Sequence, residues 1–250
     1  MGYTISANIN KLPSSKAREG KLSFDGHYER GTKLCEHIDT ADWVNSPCVI
    51  IGGGESLRGV SDDSIPAKYK RIGINRAYEK YRCDLVYTMD ALFLKMIHRG
   101  DMDVYTGKNI KHNFENLETK IVLLSPDDSE KIDTSRYFLV KRLTEMQVSK
   151  DVSNGIWAGN NSGLGGMMLA IALGCNPIYL LGFDLKIVKD SHWHAGYPNQ
   201  VKEKLYDKHA GFRKVFDQAS PMIHDAGISI YNCSDNTSLT CFNKMKIGDL

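Results

Sequence analysis

Short apolar runs of strand length recur along this chain, each closed by glycine or polar residues. PCVIIGGG (47–54), RIGINRA (71–77), DLVYTMD (84–90), KIVLLSP (120–126), PIYLLGFD (177–184) and ISIYNCS (228–234) are such runs. A strand that stays apolar through its length is buried on both faces, which is the habit of a parallel sheet covered on either side. Helical stretches lie between the runs. In NSGLGGMMLAIALG (161–174), Leu164, Met167, Met168 and Ile171 fall at helical spacing, with Asn161 or Ser162 as N-cap and Gly174 as the stop. ALFLKMIHR (91–99) reads as helical, and KLYDKHAGFRKVFDQASPMIHDAG (204–227) predicts a helix interrupted at Pro221. The expected fold is α/β: a Rossmann-like, mainly parallel sheet with helices on both faces, and a ligand at the carboxyl ends of its strands.

At 250 residues the chain is the size of one large α/β domain. Residues 1–43 lack sustained periodicity and read as an N-terminal extension with a short helix near Thr32 to His37, leaving 44–250 as the nucleotide-binding domain. The 32 basic and 30 acidic residues leave a net charge of +2, too little to recruit nucleic acid non-specifically. No apolar run is long enough to span a bilayer and no leader pattern opens the chain, so the expected location is cytoplasmic. The six cysteines form no C-x-x-C pair and read as reduced, mostly buried thiols rather than metal ligands. A homo-oligomer is left open.

In IIGGGESL, Gly52, Gly53 and Gly54 at a strand-to-helix turn let the backbone approach a phosphate, and Ser56 adds a hydroxyl. The alternative is a tight turn with no ligand. The triplet is not a dinucleotide fingerprint, because Leu57 stands where G-x-G-x-x-G needs its third glycine, and the next strand ends in Asn75 rather than an acid. Gly-Lys-Ser/Thr is absent, so it is no Walker loop, and Arg58 breaks a G-x-S-x-G elbow. Asn75, Asp90 and Asp184 stand at predicted strand ends, where ligand contact and local capping are both open. Asp90 and Asp184 could also share a divalent metal, although their spacing does not demand one.

DSHWHAGYP places His192 and His194 on a turn-rich loop. Three roles are open to them: general base with a phosphate donor, a pair of metal ligands, or plain loop surface. Asn160 and Asn161 are amide donors or caps. The D-x-D of Asp101 to Asp103 reads as a solvated turn.

The order IIGGGESL, GINRA, LVYTMD, NSGLGGMMLAIALG, PIYLLGFD and a His-bearing loop resembles two related families. One is the bacterial lipooligosaccharide sialyltransferases, which use CMP-sialic acid; the other is the MptE-like (DUF115) proteins, which include archaeal hydroxymethylpterin pyrophosphokinases. The resemblance runs from about residue 47 to 235, with close matching at Val49 to Leu57 and Asn161 to Asp184. It implies a transferase using a nucleotide-activated donor, most simply a sugar nucleotide, and a small-molecule or glycan acceptor. Gly52 to Ser56 would face the nucleotide phosphate, Asn75 and Asp90 the ribose or transferred sugar, and Ser162 and Gly163 the sugar or base. His192 or His194 would be the general base. No cofactor is implied for glycosyl transfer, whereas the pyrophosphokinase alternative needs Mg²⁺ with ATP. Gly159 stands where the sialyltransferases carry an Arg, and Lys186 where they carry a Tyr. Those departures leave a third alternative, a catalytically silent nucleotide-binding protein.

Overall fold

The computed structural model describes residues 32–90, 93, 120–124, 138–186, 192–194 and 202–250. The helix read at 91–99, apart from Phe93, and the D-x-D turn lie outside them.

Among the described residues, nine strands form one sheet in which every pairing is parallel. They are β1 (Thr32–Lys33), β2 (Cys48–Ile51), β3 (Lys70–Ile74), β4 (Leu85–Thr88), β5 (Lys120–Leu124), β6 (Phe138–Val140), β7 (Ile178–Leu181), β8 (Ile230–Asn232) and β9 (Asn243–Lys244). Their spatial order is β1-β6-β5-β4-β3-β2-β7-β8-β9. The chain thus builds outward from β2 on one side, crosses back, and continues from β7 on the other. That reversal is a topological switch point, and in open α/β sheets the ligand crevice lies at such a point. The register pairs Ile51 with Leu181, so the residues that follow, Gly52 and Gly182, leave the sheet side by side.

Alternate residues of the central strands face two cores. Cys48, Ile50, Ile72, Ile74, Leu85, Tyr87, Ile178 and Leu180 face the side of two described α-helices, α1 (Ser162–Ala172) and α2 (Lys202–Asp225). Val49, Ile51, Val86 and Leu181 face the other way, where Leu57, Ala77 and Tyr81 from the stretches after β2 and β3 cover them. Those stretches are 3-10 helices, Glu55–Gly59 and Asn75–Glu79. Helical cover is therefore present on both faces; on the second, the described cover includes these 3-10 turns with Phe93. The helix expected after the glycine triplet is one of these five-residue turns.

Of the two described α-helices, α1 is capped and stopped where the sequence places its ends, and α2 is not interrupted where the sequence expects it. Asn161 is the N-cap of α1, its Oδ1 accepting the Leu164 N–H at 2.9 Å. The helix ends in a Schellman arrangement: Gly174 has φ +87°, its N–H donates to Ile171, and the Cys175 N–H donates to Ala170. The interruption expected at Pro221 is not found, because α2 runs through it unbroken. Proline removes the N–H that would reach the Asp217 carbonyl, and the Ser220 hydroxyl donates to that carbonyl instead, at 3.2 Å.

The 32–43 stretch adds a two-residue strand to the sheet edge and two 3-10 turns. Thr32–Lys33 pairs with β6, Leu34 is fully buried, and a 3-10 turn at Leu34–Glu36 stands near the expected short helix. All six cysteines are free thiols, four of them buried.

Candidate functional site

Two loops meet at the switch point. The Gly52 N–H donates to Leu181 at 2.7 Å and the Gly54 N–H to Gly182 at 2.8 Å, which continues the β2–β7 ladder past the strands. A Cβ on Gly52 would stand 2.7 Å from the Gly182 carbonyl oxygen, and one on Gly54 would stand 2.5 Å from the Asp184 carboxyl carbon. The triplet is therefore needed first for close approach of the two loops. Beyond it, Asp184 accepts the Ser56 N–H at 2.8 Å and the Ser56 hydroxyl at 2.5 Å. Burial raises the Asp184 carboxyl above its ordinary value, and these two hydrogen bonds pull it back in part. Ser56 gives both of its donors to Asp184, and Asp184 uses both of its oxygens on Ser56.

The backbone of residues 183–184 is held from the far side by the turn after β8. Phe183 donates its N–H to the Ser234 hydroxyl at 2.7 Å and accepts from Thr237 Oγ1 at 2.6 Å, and Ser238 donates to the Asp184 carbonyl at 2.8 Å. Asn232 steadies that turn from within the core, donating to Thr237 and accepting from the Ser234 N–H. Sequence reading did not single out Asn232, Ser234 or Thr237, and their only signal was a cluster of turn-forming residues after a strand.

The Phe183 ring links the glycine turn to α1. Its Cε2 lies 3.2 Å from the Cβ position of Gly52 and its Cε1 lies 2.8 Å from that of Gly163. Asn161, Ser162 and Gly163 therefore stand next to the turn. Ser162 Oγ accepts the Met89 N–H at 3.4 Å, which brings in the end of β4. There Thr88 Oγ1 donates to Asn75 Oδ1 at 2.6 Å and accepts the Asp90 N–H at 3.0 Å. Asn75 has φ +52°, a left-handed conformation that asparagine tolerates better than most residues. Asp90 Oδ1 accepts the Phe93 N–H at 3.3 Å. Thr88 joins the two predicted residues and was not foreseen.

The His192–His194 segment is seated on the glycine turn. The Trp193 N–H donates to the Gly53 carbonyl at 3.2 Å, and His192 Cδ2 lies 2.9 Å from where a Gly53 Cβ would be. Arg58 donates to the His192 carbonyl at 3.3 Å, and the Lys80 ammonium stands 5.9 Å from the Trp193 ring centroid. The two imidazoles are 5.2 Å apart between centroids. Burial, with the nearby His192 and Arg76 charges, pushes His194 down to about 2. His194 is thus a neutral ring and a weak proton acceptor. Arg76 itself is buried in an ion pair with Glu79. A further histidine, His209, lies one turn before Arg213, whose guanidinium donates to the Leu185 carbonyl at 2.6 Å.

Every residue predicted for the site thus lies along the carboxyl ends of β4, β3, β2 and β7. Among the described residues no group of three or more His, Cys, Asp or Glu side chains could hold a metal ion. No described helix is long and apolar enough to cross a membrane. Lys186, the departure noted after Asp184, donates to Asn236 Oδ1 at 2.5 Å.

No family model matches the chain, and no curated protein matches it. Among solved structures, the chain is similar to the sialyltransferase CstII from Campylobacter jejuni, determined in complex with a substrate analogue, CMP-3FNeuAc. The two share 16% identity with a TM-score of 0.46, over 80% of this chain and 86% of that one.

Proposed function

We infer that the chain is a transferase that binds a nucleotide-activated donor, a sugar nucleotide, at the β2–β7 switch point and passes the sugar to an acceptor hydroxyl. The supporting observation is the seating of the His192 imidazole directly on Gly53, beside the turn of Gly52 to Ser56 and the first turn of α1. A base thus stands against the turn to which this reading assigns the donor phosphate. In the reaction, the acceptor oxygen bonds to the anomeric carbon as the bond from that carbon to the donor phosphate breaks. His192 takes the acceptor proton, and the nucleotide leaves with the bonding electrons. His194, held neutral, orients His192 or donates a hydrogen bond. Asp184 positions the turn and does not touch the donor. Most of the rate comes from alignment and from stabilising the leaving phosphate.

The test is a thermal-shift screen of CMP, CMP-sialic acid, UDP- and GDP-sugars, ATP and GTP, each with and without Mg²⁺. A ligand at about 100 times its dissociation constant stabilises by roughly 2.7 kcal/mol, well within reach of the method. The expected result is a metal-independent shift with a sugar nucleotide, and turnover in that donor's presence that falls at least tenfold in His192→Ala with donor affinity retained. A shift confined to ATP or GTP with Mg²⁺ would replace this reading by a pyrophosphokinase of MptE type. No shift with any nucleotide would overturn it.

A further inference from the structure

Lys80 closes the 3-10 turn Asn75–Glu79 that follows β3, its N–H donating to the Ala77 carbonyl at 3.1 Å. Its side chain reaches across to the other 3-10 turn, Glu55–Gly59, where the ammonium donates to the Leu57 carbonyl at 2.5 Å and to the Arg58 carbonyl at 3.3 Å. Both carbonyls belong to the C-terminal end of that turn, the end at which the backbone dipoles favour a cation. Among the described residues no carboxylate lies within ion-pair distance of Lys80. Its charge is met instead by the carbonyls and by aromatic faces. The ammonium stands 5.2 Å from the Tyr81 ring centroid and 5.9 Å from that of Trp193. Burial lowers the Lys80 pKa, and a partly desolvated ammonium attracts an aromatic face more strongly than a fully hydrated one.

Trp193 is the residue between the two histidines. It is only 5% exposed and belongs to the apolar cluster that contains Leu57 and Tyr81. Its N–H donates to the Gly53 carbonyl, so ring and backbone hold it at two points. Arg58 makes a second link, because its carbonyl accepts from Lys80 while its guanidinium donates to the His192 carbonyl at 3.3 Å. Lys80 therefore meets both residues that fix where His192 lies on Gly53. The glycine turn has supports of its own: Gly52 and Gly54 continue the ladder with β7, and Asp184 holds Ser56. The end of the Glu55–Gly59 turn is also braced without Lys80, since the Tyr81 hydroxyl donates to the Leu57 carbonyl at 3.1 Å and to the Val60 carbonyl at 3.0 Å. The histidine segment is what the ammonium adds to these supports.

We propose that Lys80 is a positioning residue: its ammonium, anchored on the Leu57 and Arg58 carbonyls, holds the Trp193 ring and so seats the His192 imidazole on Gly53. That His192 then takes a proton from an acceptor rests on the proposed function; the seating itself does not. A small displacement of a base from its productive geometry lowers turnover without weakening the binding of a donor held elsewhere.

The seating is tested on the full chain with Lys80→Met, which keeps the length and loses the charge, Lys80→Arg, which keeps the charge, and Tyr81→Phe, which takes a different donor from the same Leu57 carbonyl. Thermal unfolding checks that each folds, and Lys80→Gln takes the place of Lys80→Met if that variant does not. The indole N–H signals of Trp43, Trp157 and Trp193 are followed by nuclear magnetic resonance, with Trp193 assigned by its loss in Trp193→Phe. In Lys80→Met the Trp193 signal should move by more than its linewidth while the other two stay, and in Lys80→Arg it should return towards its wild-type position. With the donor found by the thermal-shift screen, Lys80→Met should lower kcat about threefold to thirtyfold, the range expected for losing one partly desolvated cation–π contact. Donor affinity should hold within about twofold, Lys80→Arg should recover most of the kcat, and Tyr81→Phe should keep it. An unmoved Trp193 signal or an unchanged kcat in Lys80→Met would overturn the proposal, and so would an equal loss in Tyr81→Phe, which would make Lys80 a brace of the turn alone. A Trp193 signal that moves in a chain without turnover on any donor would uphold the seating and remove the transferase reading. Turnover with an unmoved signal would do the reverse.

Discussion

Asp184 holds the two loops of the seam together through Ser56, so removing it should loosen the turn before it touches any chemistry. Asp184→Ala deletes two hydrogen bonds to a buried carboxylate, and a loss of about 3 kcal/mol is expected in urea unfolding. Asp184→Asn separates shape from charge. Because burial raises the Asp184 pKa, the folded chain keeps that proton to higher pH than the unfolded chain does. Its contribution to stability therefore declines as pH rises above the ordinary value of 3.8, and that decline should be absent in the Asn variant. His194 has the opposite sign. Its imidazole is pushed from 6.5 down to about 2, so the unfolded chain takes up a proton that the folded chain refuses. Stability is lost as pH falls below 6.5, and His194→Gln should flatten that acid limb in urea midpoints; identical limbs would refute the burial of a neutral ring. The glycine triplet and the histidine pair were visible in the sequence because each is a compact local pattern. The Ser56 contact to Asp184 was not, since the partners stand 128 positions apart and only the fold brings them together.

At the scale of elements, α2 carries its proline at a measurable disadvantage. Pro221→Ala gives the Asp217 carbonyl a backbone donor again, and stability should rise by about 1–3 kcal/mol, read as a higher urea midpoint at unchanged slope. A lower midpoint would mean that the ring packs against something the helix needs. The same helix shows where reading by pattern fails: a proline forbids one hydrogen bond, and the sequence does not reveal that Ser220 sits ready to take that carbonyl. The central strands were legible because CVII, LVYT and IYLL are buried at every residue. The edges were not. Thr32–Lys33 and Asn243–Lys244 are two-residue polar strands at the margins of the sheet, where burial imposes no pattern and lysine is common. Glu55–Gly59 is a five-residue 3-10 turn closed by the Val60 N–H on the Leu57 carbonyl, with its first-turn Ser56 N–H taken by Asp184.

For the molecule as a whole, the reversal in strand order decides where a ligand can sit. Alternating strands and helices announced a parallel sheet, but the order of strands follows from long-range pairings that leave no mark in the sequence. The seam between β2 and β7 also joins parts of the chain that are made far apart in time. Gly52 to Ser56 leave the ribosome with the first strands, whereas the carboxylate that fixes Ser56 follows 128 residues later. At about 5–20 residues per second that interval is on the order of ten seconds. Throughout it the turn has β3 on one flank and no neighbour on the other. Under the proposed function the donor would be recognised only by chains that have already closed the seam, so occupancy would mark a completed molecule and reward it with added stability.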